Sequence, residues 1–198
     1  MTGNPTTISS TQELLRDAAE RASTYLAALD ERCVRAERGA PERLLEALAG
    51  SLPGKGASPA EVLDRLDALG SPATVATAGP RYFGFVTGGA LPVSVAAGIL
   101  ALAWDQNTFS TTSSPAGAVF EEASLRWLAE LLGLPAGCGG ALVTGATLAN
   151  LSALAAARHA LLAREGWDVE SRGLFGAPPI DVHVGGEVHV SVRKALGL

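Results

Sequence analysis

The stretch Ala141-Leu142-Val143-Thr144-Gly145-Ala146-Thr147 limits what this chain can fold into more than any other. Its first three residues are apolar and suit a short buried strand, and the small residues Thr144-Gly145-Ala146 suit a tight turn. The Ala- and Leu-rich run that follows, from about Thr147 to Ala163, reads as a helix. A strand, a turn and a helix in that order aim backbone N–H groups and the positive end of a helix dipole at one point, which suits a phosphate. Gly145 and Ala146 leave the room a phosphate needs, and Thr147 adds a hydroxyl. Many strand-to-helix turns look like this, so a plain structural turn is the competing reading. Two nucleotide motifs are ruled out: the turn lacks G-x-G-x-x-G spacing, and G-x-x-x-x-G-K-[ST] occurs nowhere in the chain.

A second feature lies downstream. Ile180-Asp181-Val182-His183-Val184 alternates as a strand does and runs through Gly185-Gly186-Glu187-Val188 to His189, ahead of a short helix from Ser191 to Leu196. An imidazole just past a strand end can lie flat on a planar heterocycle and hold it in a cleft. A hydrogen-bonded structural histidine is the simpler alternative. His159, within a helix, and His183 read as structural.

The N-terminal third is helical by pattern. Ser10-Thr11-Gln12-Glu13 is a capping box, and Leu14, Leu15, Ala18, Ala22, Tyr25, Leu26, Leu29 and Cys33 form one stripe, which predicts an amphipathic helix from about Thr11 to Ala36. Pro41 opens a second helix ending at Gly50, and Ser58-Pro59-Ala60-Glu61 opens a third ending at Gly70. Residues 50–57 between them form a linker. Two domains are expected: a helical arm over 1–75, its apolar stripe suited to a partner subunit or to its own chain, and a larger unit over 76–198. The segment Gly79 to Gly89, rich in glycine and aromatics, borders a ligand site or anchors a core. A buried helix is expected from Pro92 to Trp104. Another, from about Ala116 to Leu132, is expected to turn Phe120, Leu125, Leu128 and Leu131 inward and Glu121, Glu122 and Arg126 outward, with Trp127 in the core.

Composition narrows the function classes. Twenty acidic against fifteen basic side chains, with no basic stripe, argue against a nucleic-acid partner. Cys33 and Cys138 stand apart from each other and from any Cys/His cluster, so they read as small apolar fillers; no disulfide and no metal site is expected. Met1-Thr2-Gly3-Asn4-Pro5 lacks the start of a signal peptide, and the longest apolar run, Ala90 to Trp104, is too short to cross a bilayer. A cytoplasmic protein without membrane contact is expected. The ending Leu196-Gly197-Leu198 reads as an interrupted fold.

From about Gly79 onward the chain resembles the pyridoxal-phosphate decarboxylases that include the aromatic-amino-acid, glutamate and diaminobutyrate enzymes. The resemblance is carried by Pro80-Arg81-Tyr82-Phe83-Gly84-Phe85, Leu91-Pro92, Trp127 to Pro135, Thr144 to Leu151, and His189-Val190-Ser191-Val192-Arg193-Lys194-Ala195. It implies an α/β fold of the aspartate-aminotransferase type, present here as its N-terminal portion, with pyridoxal 5'-phosphate as cofactor and an L-amino acid as the small-molecule substrate that loses carbon dioxide. Gly145, Ala146 and Thr147 would hold the phosphate, His189 would stack on the pyridine ring as the catalytic histidine, and Ser191 would lie close to the cofactor. Phe85 and Thr87 would line the substrate pocket. The helical arm would clasp the second subunit of a homodimer, and the loop from Trp104 to Pro115 would serve the partner's site.

Three positions depart from the family pattern: Ala146 and Leu148 stand where glycine and glutamate are more common, and Gly79 where histidine often precedes the proline. The lysine that holds the cofactor aldehyde and the aspartate that pairs with the pyridine nitrogen fall, in the family, beyond position 198. Lys55 lies in the linker and Lys194 in the His189 motif, so neither fits the anchoring role, and the chain alone is expected to be inactive. Two other classes remain for comparison: a noncatalytic remnant that binds a partner through the arm, and a nucleotide-dependent oxidoreductase, which would need the missing glycine fingerprint.

Overall fold

A computed structural model describes residues 10–197, which form two compact units divided between Trp104 and Asp105. The readings made above on Met1–Pro5 and on Leu198 lie outside the described residues.

In the first unit, α1 (Thr11–Ala27) starts at the expected capping box, with the Ser10 hydroxyl accepting from the Glu13 N–H and the Glu13 carboxylate accepting from the Ser10 N–H. It ends nine residues before Ala36, because the backbone beyond it has other partners: the Glu37 N–H donates to the Pro72 carbonyl and the Ala76 N–H to the Val34 carbonyl, each at 2.9 Å. Arg32 reinforces that path. Its guanidinium donates to the Ser71 carbonyl and lies 4.9 Å from the centre of the Tyr25 ring. Two helices follow, α2 (Ala40–Leu48) and α3 (Pro59–Arg65), the latter opened by a full Ser58/Glu61 capping box. α3 then widens into a π-turn over Leu66–Gly70 and runs on into α4 (Ser71–Ala73).

One arginine ties these helices together. The Arg21 guanidinium meets Asp17 at 2.9 Å, Asp64 at 2.5 Å and Asp67 at 3.3 Å, and Asp67 also accepts from the Ser71 hydroxyl at 2.5 Å. The hydrogen bond to Asp17, above all, raises the guanidinium pKa further. The widened turn thus carries, in Asp67, one carboxylate that both binds α1 and meets the start of α4. The unit closes with α5 (Pro92–Trp104), whose bounds match the sequence reading.

The second unit holds α6 (Pro115–Leu131), α7 (Ala146–Arg164), α8 (Val169–Arg172) and α9 (Val190–Leu196), with α7 packed along α9. Ser114 caps α6 through the Gly117 N–H, and Gly133, at φ 63°, follows its C-terminus as expected. α8 was not foreseen in the sequence. Asp168 caps it, and Arg172 stacks 3.5 Å over the Trp167 ring, whose indole N–H donates to the Gly173 carbonyl.

No strand occurs among the described residues, so the α/β expectation is met only in its helices. Residues 141–143 and 180–184 carry no regular secondary structure; a strand exists only through a ladder, and within the described residues neither segment has one. The burial expectations also change. No residue of α5 is buried, and Leu102 is 82% exposed. On α6, Phe120, Leu128, Leu131 and Trp127 are all exposed, whereas Leu125 is half-buried against Gly140. Glu121, expected outward, accepts the Leu142 N–H at 3.1 Å, which gives this backbone donor a side-chain partner where no ladder supplies one. Cys33 and Cys138 are free and exposed, so neither fills a core. The described cores are small: Leu29, Ala40 and Ala76 in the first unit, and Leu162, Val169 and Ala195 in the second.

Candidate functional site

The turn singled out in the sequence leads directly into α7, the longest helix. Gly145 is its N-cap, in extended backbone, and no side chain bonds to the helix start. The first N–H with a helical partner is that of Ala149, which donates to the Gly145 carbonyl at 3.0 Å. The N–H groups of Ala146, Thr147 and Leu148 are therefore the free donors that every helix start presents. No acidic residue lies in this first turn. The space beside Gly145 is open as well: a Cβ built there meets nothing within 4 Å. Free N–H donors, the positive end of a 19-residue helix, no competing carboxylate and open space together fit a phosphate dianion. Thr147 is exposed at the same turn.

α9 brings the histidine to this helix. His189 is the N-cap of α9, and its ring Nδ1 accepts from the Ser191 N–H at 3.2 Å and lies 2.8 Å from the Ser191 hydroxyl. Ser191 is buried, with 5% of its surface exposed. Its hydroxyl receives a third group: the Asn150 side-chain amide donates to it at 2.9 Å. Asn150 lies one turn into α7, so this bond joins the phosphate-facing helix to the histidine cap. His189 itself remains exposed, its ring held at one edge only.

Gly145, Ala146, Thr147, His189 and Ser191 are thus gathered within one unit, on two helices in contact. Phe85 and Thr87 belong to the other unit and are described separately. They sit in a tight turn in which the Thr87 N–H donates to the Gly84 carbonyl at 3.3 Å. Phe85 and Val86 both have positive φ, 54° and 53°, a strained conformation for residues with a Cβ, especially a β-branched one. Phe85 is 93% exposed and Phe83 92%, so neither anchors a core, whereas Tyr82 is half-buried. Asn150 was missed in the sequence. Its signal was the one side-chain amide of α7, three residues after Thr147 on a helix rich in Ala and Leu. Among the described residues no cluster of His, Cys, Asp and Glu suits a metal ion, and no helix is long and apolar enough to cross a membrane.

Residues 41–196 match the family model described as the pyridoxal-dependent decarboxylase conserved domain. The chain is 32% identical over 132 residues to tryptophan decarboxylase 1 of Oryza sativa subsp. japonica, which covers 61% of this chain and 25% of that protein. It is also 32% identical over 151 residues to the aromatic-L-amino-acid decarboxylase of Bacillus atrophaeus, covering 75% of this chain and 29% of the other, and 30% identical over 122 residues to the mouse acidic amino acid decarboxylase GADL1, covering 62% and 21%. The chain thus spans about a quarter of the length of these relatives. Among solved structures, mouse CSAD in apo form superposes with a TM-score of 0.80 at 25% identity, over 94% of this chain and 38% of that one. Oryza sativa TDC with PLP and tryptamine gives 0.80 at 26% identity, over 99% and 40%.

Proposed function

The chain belongs to the pyridoxal-dependent decarboxylase family, and on that premise we propose that it supplies the phosphate- and ring-binding part of an enzyme that removes carbon dioxide from an L-amino acid. The observation that carries this reading is the uncapped start of α7, tied through Asn150 and Ser191 to the His189 cap. Ala146, Thr147 and Leu148 would hold the phosphate through their N–H groups, and the Thr147 hydroxyl would add a donor. His189 would lie against the pyridine ring, and Ser191 would fix the edge of the imidazole. Phe85 and Thr87 would line the pocket for the amino-acid side chain.

When bound, pyridoxal phosphate supplies a ring that takes up the electron pair left as carbon dioxide departs. The chain's own part is to bind and orient. Neither Lys55, in the linker, nor Lys194, in the last turn of α9, serves as the lysine that anchors the aldehyde. The segments 141–143 and 180–184 would gain ladders in an aspartate-aminotransferase-like sheet, and the domain arrangement would be an arm over 1–75 ahead of the cofactor-binding unit. A homodimer is supported by an apolar groove of about 610 Å³ on the first unit, lined by Ala22, Leu26, Leu44, Leu63 and Leu66.

Two assays test the reading: carbon dioxide release from a panel of aromatic and acidic L-amino acids with added pyridoxal phosphate, and equilibrium binding of the cofactor. The 198-residue chain is expected to bind and not to turn over. Release of carbon dioxide by this chain, or failure to bind the cofactor, would contradict it.

A further inference from the structure

The bonds around Ser191 have a direction. A backbone N–H can only donate, so the Ser191 N–H at 3.2 Å requires a lone pair on His189 Nδ1. The Ser191 hydroxyl, 2.8 Å from the same nitrogen, must then turn its proton toward the ring. It is left with oxygen lone pairs to offer elsewhere, and the Asn150 amide N–H fills one of them at 2.9 Å. If the amide were turned the other way, its oxygen would compete for the hydroxyl proton that Nδ1 needs. Two independent donors, one in the backbone of α9 and one on α7, thus favour the same ring tautomer.

We propose that Asn150 is a positioning residue which, through the Ser191 hydroxyl, holds His189 as its Nε2–H tautomer and fixes the imidazole at its Nδ1 edge. This rests on the reading of His189 as the residue that meets the cofactor ring, and it adds a role for a residue outside the cofactor contacts. Ser191 is buried, so its hydroxyl must find partners within the protein. Asn150, half-buried, is the side chain that satisfies it. The ring's one N–H is then on the edge remote from Ser191, and Nδ1 is fully used.

The test is a two-bond 1H–15N correlation of the histidine rings in the 198-residue chain, recorded without cofactor, for the wild type, Asn150→Ala, Asn150→Asp and Ser191→Ala. The wild type is expected to show His189 protonated at Nε2 only. Asn150→Ala and Ser191→Ala should both give a mixture of tautomers. Asn150→Asp, nearly the same shape, should draw the hydroxyl proton away from the ring and move protonation toward Nδ1. A purely space-filling asparagine would leave the tautomer unchanged in the Asp variant. Loss of one such bond should also weaken binding of pyridoxine 5'-phosphate, which lacks the aldehyde, by about fivefold. A wild-type ring protonated at Nδ1 overturns the proposal without recourse to any variant, as does a tautomer indifferent to both Asn150 substitutions. If the tautomer behaves as stated but pyridoxine 5'-phosphate does not bind, the cofactor reading fails and the relay stands.

Discussion

Ala146 holds the first helical position of α7, where two effects of opposite sign meet. A carboxylate there would be favoured by the helix dipole, worth about 0.3–1 kcal/mol, and would satisfy the free N–H groups that no side chain caps. The same carboxylate would repel a phosphate dianion. Ala146→Asp is therefore expected to raise the thermal midpoint slightly while lowering affinity for pyridoxine 5'-phosphate by at least tenfold, the equivalent of about 1.4 kcal/mol. Scanning calorimetry and titration calorimetry on the same samples check the two signs. A variant that loses stability and affinity together would make Ala146 a packing residue instead. At this scale the sequence was most legible in local order: the turn at Gly145 ahead of α7 and the place of His189 just before a short helix are where the sequence reading put them. Asn150 was not legible, because its partner is 41 residues away and only the packing of α7 on α9 joins them.

Helix starts were readable because a cap is a contact between residues three apart. Both capping boxes, Ser10/Glu13 and Ser58/Glu61, form as their spacing requires. The Glu61 carboxylate gives the first unit a pH dependence. The Ser58 N–H, and then its hydroxyl, hold the Glu61 carboxyl below its usual range, and in the second unit the Ser171 hydroxyl, followed by its N–H, does the same for Asp168. A carboxyl lowered in the folded state contributes stability above its unfolded pKa and loses it as pH falls through the folded value. The thermal midpoint is thus expected to be flat near neutrality and to drop below about pH 4, with Glu61→Gln flattening the acid limb. Ser58→Ala should cost about 1 kcal/mol at pH 7, seen as a lower denaturant midpoint. An acid limb unchanged in Glu61→Gln would remove this carboxylate from the account. Helix ends and faces were less legible. α1 stops at Ala27 because Val34 and Glu37 bond to residues 72–76, and Glu121 turns toward Leu142; both depend on distant backbone.

Each of the two units exposes large apolar side chains. Val93 and Leu102 on the first unit are each more than two-thirds exposed, as are Phe109, Leu131 and Phe175 on the second. The sequence reading expected α5, with Val93 and Leu102, and Leu131 of α6 to be buried; all three residues are exposed instead. An apolar area this large calls for a partner surface. Sedimentation velocity of the 198-residue chain is expected to show concentration-dependent species heavier than the monomer; a monomer at all concentrations would mean that the exposed faces are tolerated singly.

The central claim is that the start of α7 and the cap of α9 form one phosphate- and ring-binding site. It is tested most directly by following backbone amide resonances of the 198-residue chain during titration with pyridoxine 5'-phosphate and, separately, with pyridoxine. Neither ligand has the aldehyde that would couple to Lys55 or Lys194. The account expects the amides of Ala146, Thr147 and Leu148, together with the His189 ring, to shift with the phosphate ester and not with the free alcohol. Equal shifts with both ligands, or none at α7 with either, would contradict it.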